Sequence, residues 1–278
     1  MNIPFSKYHG LGNDFILMED RDRSITPTLT PPIIRFLCDR HIGLGADGIL
    51  VRQPTSEADH RMVLFNADGS PAEISGNGMR CFVLFLKECG YGVDKDVTIQ
   101  TGGGIQRARM VAEDSVEGTM PRPRFVRGAG SSTGNGKPEL LDLRARDKHF
   151  MVAPVNVGNP HGVIFGEERD IAFAETYGPV LEKHPAFPEG ANIEFVNVIS
   201  PIACRLVVWE RGAGITLACG SGSTATACAG AALGHFEFNQ PIAVIQPGGT
   251  LHITVSDTFS EIRQRGPAKF VFKGEVEI

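Results

Sequence analysis

The sequence has no CxxC pair among its six cysteines, no run of basic residues and no long apolar segment. Cysteines scattered in this way are not typical of a small disulfide-stabilised domain, and their spacing does not suit a zinc knuckle. A formal net charge of −5 without a basic run argues against nucleic-acid binding. Because the apolar runs are too short to span a bilayer and no signal-peptide core follows the first residues, we expect a cytoplasmic protein that does not bind membranes.

The usual signatures of nucleotide and cofactor binding are also missing. Residues 43–48 match GxGxxG, but a helix-like segment precedes them and a strand-like one follows. This order is the reverse of a dinucleotide-binding motif, so we interpret the segment as a helix-to-strand loop. Gly136 and Lys137 are followed by Pro138 instead of the Ser or Thr of a P-loop. With no lysine in a context typical of a pyridoxal Schiff base and no metal-ligand spacing, the sequence predicts neither a cofactor nor a metal.

What the sequence does contain is a cysteine on a glycine-rich turn that leads into a helix of small residues. The turn spans residues 218–223 and includes Cys219, and the segment 224–233 continues it without any Asp, Glu, Lys or Arg. Such a helix is predicted to be buried. Its N-terminal N–H groups and positive dipole end would lie beside Cys219, an arrangement that lowers a cysteine pKa and binds a carboxylate or phosphate. The alternative is an inert cysteine in a packed core helix.

The same motif occurs twice in the chain. Residues 75–81 share the Ser/Cys-Gly-Asn/Ser-Gly pattern and lead into the apolar residues 82–86. Other landmarks recur at nearly the same offset, namely Asn13 with Asn159, Asn66 with Glu210, and Gln100 with Gln246. A repeat of this length predicts two similar halves, each with a glycine turn at a helix start. If the two helices face one cleft, they would hold one anion from both sides.

A length of 278 residues suits two domains of ordinary size. Residues 121–138 are rich in Pro, Gly, Ser and Arg, which predicts an exposed loop just past the domain boundary. Several candidate residues also have ordinary structural interpretations when taken singly. Asn66 is typical of a turn, His161 of a hydrogen-bonded structural histidine, and the pair 210–211 of a solvated strand end.

Five segments taken together resemble the diaminopimelate epimerase family. They are residues 10–15, 65–70, 76–82, 158–161 and 210–222, which occur in order and at family spacing along essentially the whole chain. The resemblance implies an α+β fold of two pseudosymmetric domains, each a β-barrel-like sheet wrapped around a central helix. It assigns residues 1–118 and a returning strand within 264–278 to the first domain, and residues 119–263 to the second. The wider superfamily includes proline racemase and hydroxyproline epimerases and dehydratases.

The resemblance implies an enzyme that interconverts LL- and meso-diaminopimelate without a cofactor. Removing an α-proton beside a carboxylate is difficult, and two helix N-termini would stabilise the developing charge. The family uses two cysteines as acid and base, and Cys219 matches the second of them. The family pattern assigns His161 and Glu210 to polarising the catalytic groups. It assigns the distal amino-acid end of the substrate to Asn13, Asn66, Asn159, Asn192 and Arg211, and the reacting carboxylate to Gly76, Asn77, Gly220 and Ser221.

The first catalytic cysteine of the family falls on Ser75 in this chain. A hydroxyl is a far weaker acid than a thiol, and Cys81 lies nearly two helical turns further on, so Cys219 is the one competent base. Three explanations stay open: an epimerase whose cysteine was deliberately replaced, a natural one-base relative resembling a 3-hydroxyproline dehydratase, or a non-catalytic amino-acid-binding protein. The asparagine and arginine set favours the first, because it suits a substrate with two amino-acid ends. Family members often dimerise, so a homodimer is a further expectation.

Overall fold

The structure is a computed structural model of the 278-residue chain, and it describes residues 1–127, 131–132, 136–167 and 170–278. The chain divides into two compact units. One unit comprises Met1–Thr119 together with Arg265–Ile278, and the other comprises Met120–Gln264. Among the described residues, no α-helix combines the length and the apolar character needed to cross a membrane.

The elements follow one another in a repeated order. The first run is β1 (Asn2–Gly10), β2 (Asn13–Glu19), a 3-10 helix (Thr26–Thr28), α1 (Pro31–Cys38), β3 (Gly48–Gln53), β4 (His60–Asn66), β5 (Pro71–Ala72), α2 (Gly76–Glu88), β6 (Val97–Thr101), β7 (Gly104–Ala112) and β8 (Ser115–Met120). The second is β9 (Arg124–Arg127), β10 (Ser131–Ser132), β11 (Leu141–Ala145), β12 (Lys148–Asn156), β13 (Pro160–Phe165), α3 (Ile171–Glu182), β14 (Asn192–Ser200), β15 (Ala203–Glu210), β16 (Gly214–Ile215), α4 (Gly220–Leu233), β17 (Pro241–Gln246), β18 (Gly249–Val255) and β19 (Ile262–Pro267). The last strand is β20 (Lys269–Glu277).

The sheet of the first unit curves around α2. Strand β20 pairs antiparallel with β1, and β1 with β2, while β2 runs parallel to β3. The order continues through β4, which is antiparallel to β3 and parallel to β6, and then through β7 and β8. Helix α2 contacts β20 and β1 at one side of this order and β7 near the other. Residues 77–86 of α2 are all buried, as expected for a helix that packs against several strands of a curved sheet.

The second unit repeats this topology around α4. Strands β12 and β13 are antiparallel, β13 and β14 parallel, and β14 and β15 antiparallel. Strand β15 runs parallel to β17, which pairs antiparallel with β18. Helix α4 contacts β12, β13, β14, β17 and β18. The predicted internal repeat and the central buried helix are therefore confirmed at the level of strand order.

Small residues along α4 allow the surrounding elements to approach it closely. A Cβ atom at Gly230 would lie 2.2 Å from the ring of Phe236, so no larger residue fits there without movement. In the first unit, large apolar residues fill the same space around α2, among them Phe82, Phe85 and Leu86. Burying each such side chain contributes about 1.5–3 kcal/mol. Both central helices are therefore buried within their unit, α4 through small side chains and α2 through large ones.

A second core in the first unit lies under α1. It is formed by Ile34 and Leu37 of the helix with Ile3, Ile16 and Val51 of the sheet. The predicted N-cap Thr30 and the prolines of the first turn are in place, although the Thr30 side chain makes no capping hydrogen bond. Residues 43–47 lie in the connection from α1 to β3, which confirms the helix-to-strand interpretation of the GxGxxG match.

The predicted exposed loop over 121–138 is wrong in its first part. Residues Arg124–Arg127 form β9, which pairs antiparallel with β12. Phe125 anchors this strand, because it is buried and packs edge-on against Phe259 at 5.2 Å between ring centroids. Burial of this one apolar side chain therefore stabilises a strand in a segment whose composition favours turns. Residues 128–130 and 133–135 of the predicted loop lie outside the described residues.

Candidate active site

The sulfur of Cys219 caps the N-terminus of α4. Cys219 has extended backbone angles (φ −118°, ψ 115°), and the N–H of Gly222 donates to its Sγ at 3.3 Å. The backbone N–H of Cys219 itself donates to Oε1 of Gln246 at 2.8 Å, and Ser221 Oγ lies 3.5 Å from the sulfur. The residue is 6% exposed. A reactive atom is thus fixed at the positive end of a helix dipole.

The environment of Cys219 favours the protonated thiol. Burial raises its pKa well above the ordinary value, and the carboxylate of Glu210 and, more weakly, that of Glu194 raise it further. Hydrogen bonds from Ser221 and Gly222 act in the opposite direction but do not compensate. The expectation of a lowered pKa is therefore wrong, because the loss of hydration outweighs the helix N-terminus. At neutral pH Cys219 is a thiol.

His161, on β13, has both ring nitrogens engaged. Its Nδ1 lies 2.6 Å from Oε1 of Glu194, and its Nε2 lies 2.8 Å from Oδ1 of Asn159. The amide nitrogen of Asn159 donates in turn to Ser221 Oγ at 3.4 Å. The predicted residues His161, Asn159 and Ser221 are therefore linked to one another and to the first turn of α4.

Asn192 connects the start of β14 to the turn after β15. It stands beside His161 in the parallel register, and its amide nitrogen donates to the carbonyl oxygen of Pro160 at 3.1 Å. Its Oδ1 accepts from the backbone N–H of Arg211 at 2.9 Å. Glu210, the residue before, accepts from the hydroxyl of Thr216 at 2.5 Å. Asn192 thus links the strand of His161 to the turn that carries Arg211, and Glu210 lies at the start of the same turn.

Ser75 has the equivalent position in the first unit. It is the N-cap of α2 with similar backbone angles (φ −142°, ψ 120°), and its Oγ accepts from the N–H of Gly78 at 3.0 Å. Ser75 is half-buried, and a Cβ at Gly78 would approach its side chain to 3.1 Å. Cys81 is fully buried further along α2, and burial raises its pKa to about 12. The first unit therefore presents a hydroxyl where the second presents a thiol.

Asn13 and Asn77 form a bonded pair at the start of α2. The amide nitrogen of Asn77 donates to Oδ1 of Asn13 at 3.1 Å, and that of Asn13 donates to Asp47 at 2.7 Å. Arg80 is 2% exposed and donates to Oδ1 of Asn77 at 2.6 Å and to the carbonyl oxygen of Gly76 at 3.2 Å. Burial lowers the pKa of Arg80 to about 10, so it keeps its charge at neutral pH. Both asparagine amides are thereby oriented.

Asn66 ends β4 and makes its side-chain hydrogen bond inside its own turn. Its amide nitrogen donates to Ser70 Oγ at 3.0 Å, and its backbone N–H donates to the carbonyl oxygen of Ser70 at 2.9 Å. These contacts agree with the turn-forming interpretation. The position matches that of Glu210, which ends β15 in the second unit.

Sequence reasoning missed three supporting residues. Glu194 is fully buried on β14 and bonds His161, and an acid inside the apolar strand 193–196 was the available signal. Gln246 entered only as a landmark of the repeat, although it fixes the backbone of Cys219. Glu182, at the end of α3, accepts from the N–H of Gly212 at 3.1 Å and so holds the turn after β15. Nothing in its local sequence indicates that contact.

Taken together, these groups are suited to proton transfer at a carbon next to a carboxylate. A thiol at a helix N-terminus, a histidine held by a carboxylate and the first-turn N–H groups supply a proton-transfer group and an anion site. In the part of the chain that the structure describes, no group of three His, Cys, Asp or Glu side chains is arranged to hold a metal ion.

The fold and this site define a class of epimerase-like proteins with two repeated α+β halves. The chain is similar in structure to a phenazine biosynthesis protein of the PhzF family from Bacillus anthracis (TM-score 0.74, 17% identity, all of both chains). It is also similar to a hydroxyproline epimerase from Agrobacterium vitis (TM-score 0.69, 16% identity, 99% of this chain and 91% of the other). At these identities the likeness concerns the fold.

Sequence similarity identifies the family within this class. The diaminopimelate epimerase family model matches residues 5–126 and 153–271. The chain is 41% identical to the diaminopimelate epimerase of Gloeothece citriformis over 284 residues, covering all of both chains. It is 37% identical to that of Carboxydothermus hydrogenoformans, over 98% of this chain and 99% of the relative. The protein belongs to the diaminopimelate epimerase family.

Proposed function

We propose that this protein interconverts LL- and meso-diaminopimelate by moving the α-proton, without a cofactor. The observation that carries the proposal is the sulfur of Cys219 at the N-terminus of α4, 3.3 Å from the N–H of Gly222. The family and the full-length relatives at 37–41% identity support the choice of substrate and reaction.

In this function Cys219 exchanges the α-proton on one face of the substrate. As a thiolate it accepts the proton from the α-carbon, and as a thiol it returns a proton to the carbanion. The hydroxyl of Ser221 and the N–H of Gly222 stabilise the thiolate. First-turn N–H groups of a helix have no intrahelical acceptors, so those of Gly220 and Ser221 suit the substrate carboxylate. Such donors are typically worth about 3–4 kcal/mol as charge develops.

The other predicted residues have binding and polarising roles in the proposal. His161 and Glu210 polarise the catalytic groups, and the buried Arg80 adds positive charge behind the first turn of α2. The remaining binding residues are Asn13, Asn66, Gly76, Asn77, Asn159, Asn192 and Arg211. The proposal also includes a cytoplasmic location and a homodimer, which cell fractionation and light scattering after gel filtration would test.

Inversion requires a proton donor on the opposite face of the α-carbon, and the resemblance assigns that role to position 75. Because a hydroxyl is a poor acid, we propose that exchange at the Cys219 face is much faster than inversion. The hydroxyl at Ser75 also favours a second candidate, a one-base lyase that eliminates a β-group from a 3-hydroxyproline. A silent amino-acid-binding protein is the third.

The test is to incubate each diaminopimelate isomer with the protein in D2O and to follow α-deuteration by NMR and configuration by chiral chromatography. We expect deuteration that Cys219→Ala abolishes and that Cys89→Ala, a half-buried cysteine at the other end of α2, preserves. Exchange that persists in Cys219→Ala would assign the base to another group. Loss of water from 3-hydroxyproline, without exchange of diaminopimelate, would establish the lyase, and binding without either reaction would establish the binding protein.

A further inference from the structure

Five side chains form a continuous polar chain that ends at the reactive sulfur. Its members, in order, are Glu194, His161, Asn159, Ser221 and Cys219, and the successive distances are 2.6, 2.8, 3.4 and 3.5 Å. All five lie in the second unit. Its far end is the carboxylate of Glu194, which does not itself bond the thiol.

Glu194 also lies close to the capping turn by a second route. A Cβ placed on Gly222 would be 2.9 Å from Oε1 of Glu194 and 3.3 Å from Sγ of Cys219. Glycine at position 222 therefore leaves the space in which the carboxylate and the thiol both approach its α-carbon. The N–H of Gly222 also donates to the sulfur, so one residue adjoins both the carboxylate and the thiol.

The carboxylate of Glu194 is unusual for a group so deeply buried. It is fully inaccessible and its Oε1 faces His161, whereas its Oε2 has no hydrogen-bond partner among the residues that the structure describes. A buried carboxylate oxygen without a hydrogen bond is costly, so its presence calls for an explanation. Burial raises the pKa of Glu194, His161 lowers it, and Glu210 raises it. The titratable groups around it are thus His161 on β13, Glu210 on β15 and Cys219 at the start of α4.

The hydrogen bonds of His161 determine how many protons this pair carries. Oδ1 of Asn159 can only accept, so Nε2 of His161 carries a proton. The short contact between Nδ1 and Oε1 of Glu194 requires a second proton, which resides on the ring or on the carboxylate. The pair therefore has no net charge. A neutral imidazole beside an ionised carboxylate would have one proton fewer and a net charge of −1.

We propose that Glu194 is a positioning residue that retains this proton at Nδ1 of His161 and fixes the ring, so that Asn159 and Ser221 stay aligned on the sulfur of Cys219. Glu194 touches neither the thiol nor the substrate in this role. It acts through His161, in the way that a carboxylate orients a histidine in other acid–base sites. The inference deepens the proposed function and rests on it for its kinetic consequence, whereas its structural part does not require turnover.

The first measurement is the ¹⁵N NMR spectrum of histidine-labelled protein, with His161 assigned by its loss in His161→Gln. We expect a protonated, hydrogen-bonded Nδ1 in the unaltered protein and an unprotonated Nδ1 in Glu194→Gln, which keeps the shape but removes the acid. The matched control is Asp142→Asn, because Asp142 holds His149 at 2.9 Å in an exposed pair of the same unit. That variant should leave the His161 signals unchanged.

The second measurement is α-deuteration of diaminopimelate as a function of pH. For Glu194→Gln we expect kcat to fall about tenfold to a hundredfold, the range found when histidines at metal sites lose their orienting partner, with KM unchanged within about twofold. The pH dependence should shift as well, which a merely structural role would not cause. Glu194→Asp, which keeps the acid, should restore part of the rate and serves as the second variant if Glu194→Gln does not fold.

Unchanged His161 signals in Glu194→Gln would overturn the inference, and so would a variant whose kcat and pH profile equal those of Asp142→Asn. If the unaltered protein exchanges no isomer of diaminopimelate, the proposed function fails instead. The spectra of His161 then decide the positioning role of Glu194 alone, because they need no substrate.

Discussion

If position 75 has its proposed role in proton transfer, replacing Ser75 by cysteine should increase the rate at which diaminopimelate is inverted. The second unit shows that the local geometry accepts a sulfur, because Cys219 takes the same cap position with similar backbone angles and a 3.3 Å bond from Gly222. In the first unit the corresponding bond from Gly78 to Ser75 Oγ is 3.0 Å, and the half-buried side chain has room to adjust. We therefore expect Ser75→Cys to fold normally.

The gain follows from the chemistry of the two groups. A positioned acid or base contributes about 10²- to 10⁴-fold, and the serine hydroxyl supplies little of this. At 1.36 kcal/mol for each factor of ten, the restored thiol should lower the barrier to inversion by about 3–5 kcal/mol. Exchange at the Cys219 face should change far less, because that thiol and its hydrogen bonds remain in place.

The assay measures deuteration and inversion in the same samples, by NMR in D2O and chiral chromatography. Ser24→Cys, at an exposed serine of the same unit, controls for the addition of a thiol. Ser75→Ala tests the hydroxyl itself and should lose about 1 kcal/mol of stability with the cap. If inversion by Ser75→Cys stays at the level of the unaltered protein, the assignment of position 75 as a proton-transfer group is refuted.

Three further predictions concern ionisation and packing. Because burial raises the pKa of Cys219, the thiolate fraction and hence the deuteration rate should rise about tenfold per pH unit above neutrality. A rate that does not depend on pH between about 6 and 8 would show that Cys219 is already a thiolate. Gly222→Ala places a Cβ 2.9 Å from Glu194 and should lower the free energy of unfolding in urea by about 1–3 kcal/mol. Gly92→Ala is the control, because the described residues leave open space around Gly92, and it should cause no such loss. Equal stabilities of the two variants would contradict the packing argument. Asp20 is fully buried, and its hydrogen bonds lower its pKa although burial alone would raise it. Asp20→Asn should therefore lower the free energy of unfolding by about 2–3 kcal/mol at pH 7, and this loss should shrink as the pH falls below about 4. A loss that stays constant from pH 7 to 3 would disprove this.

The local motifs of the sequence were sufficient to predict the repeat and its two helix starts. Ser75 and Cys219 are recognisable because a cap residue followed by glycines and an uncharged stretch is a signal within one short segment. The strand ends at Asn66 and Glu210 follow from the same kind of local pattern. These elements were predictable because neighbouring residues alone determine them.

Features that depend on distant pairing could not be predicted. The contact of His161 with Glu194 requires the parallel register of β13 and β14, which no short segment encodes. The pKa of Cys219 depends on how completely the other elements bury it, so the helix-terminus argument gave the wrong direction. Likewise, Phe125 fixes β9 only because its pairing strand and Phe259 are present in the folded unit.

The position of β20 affects the order in which the chain can fold during translation. This strand is made after the whole of Met120–Gln264, yet it pairs with β1 from Asn2 beside Glu277 to His9 beside Lys269. The second unit is one continuous stretch and can fold as it is made, whereas one edge of β1 stays open until residues 269–277 have emerged. An open strand edge invites mispairing, so the half that is translated first is completed last.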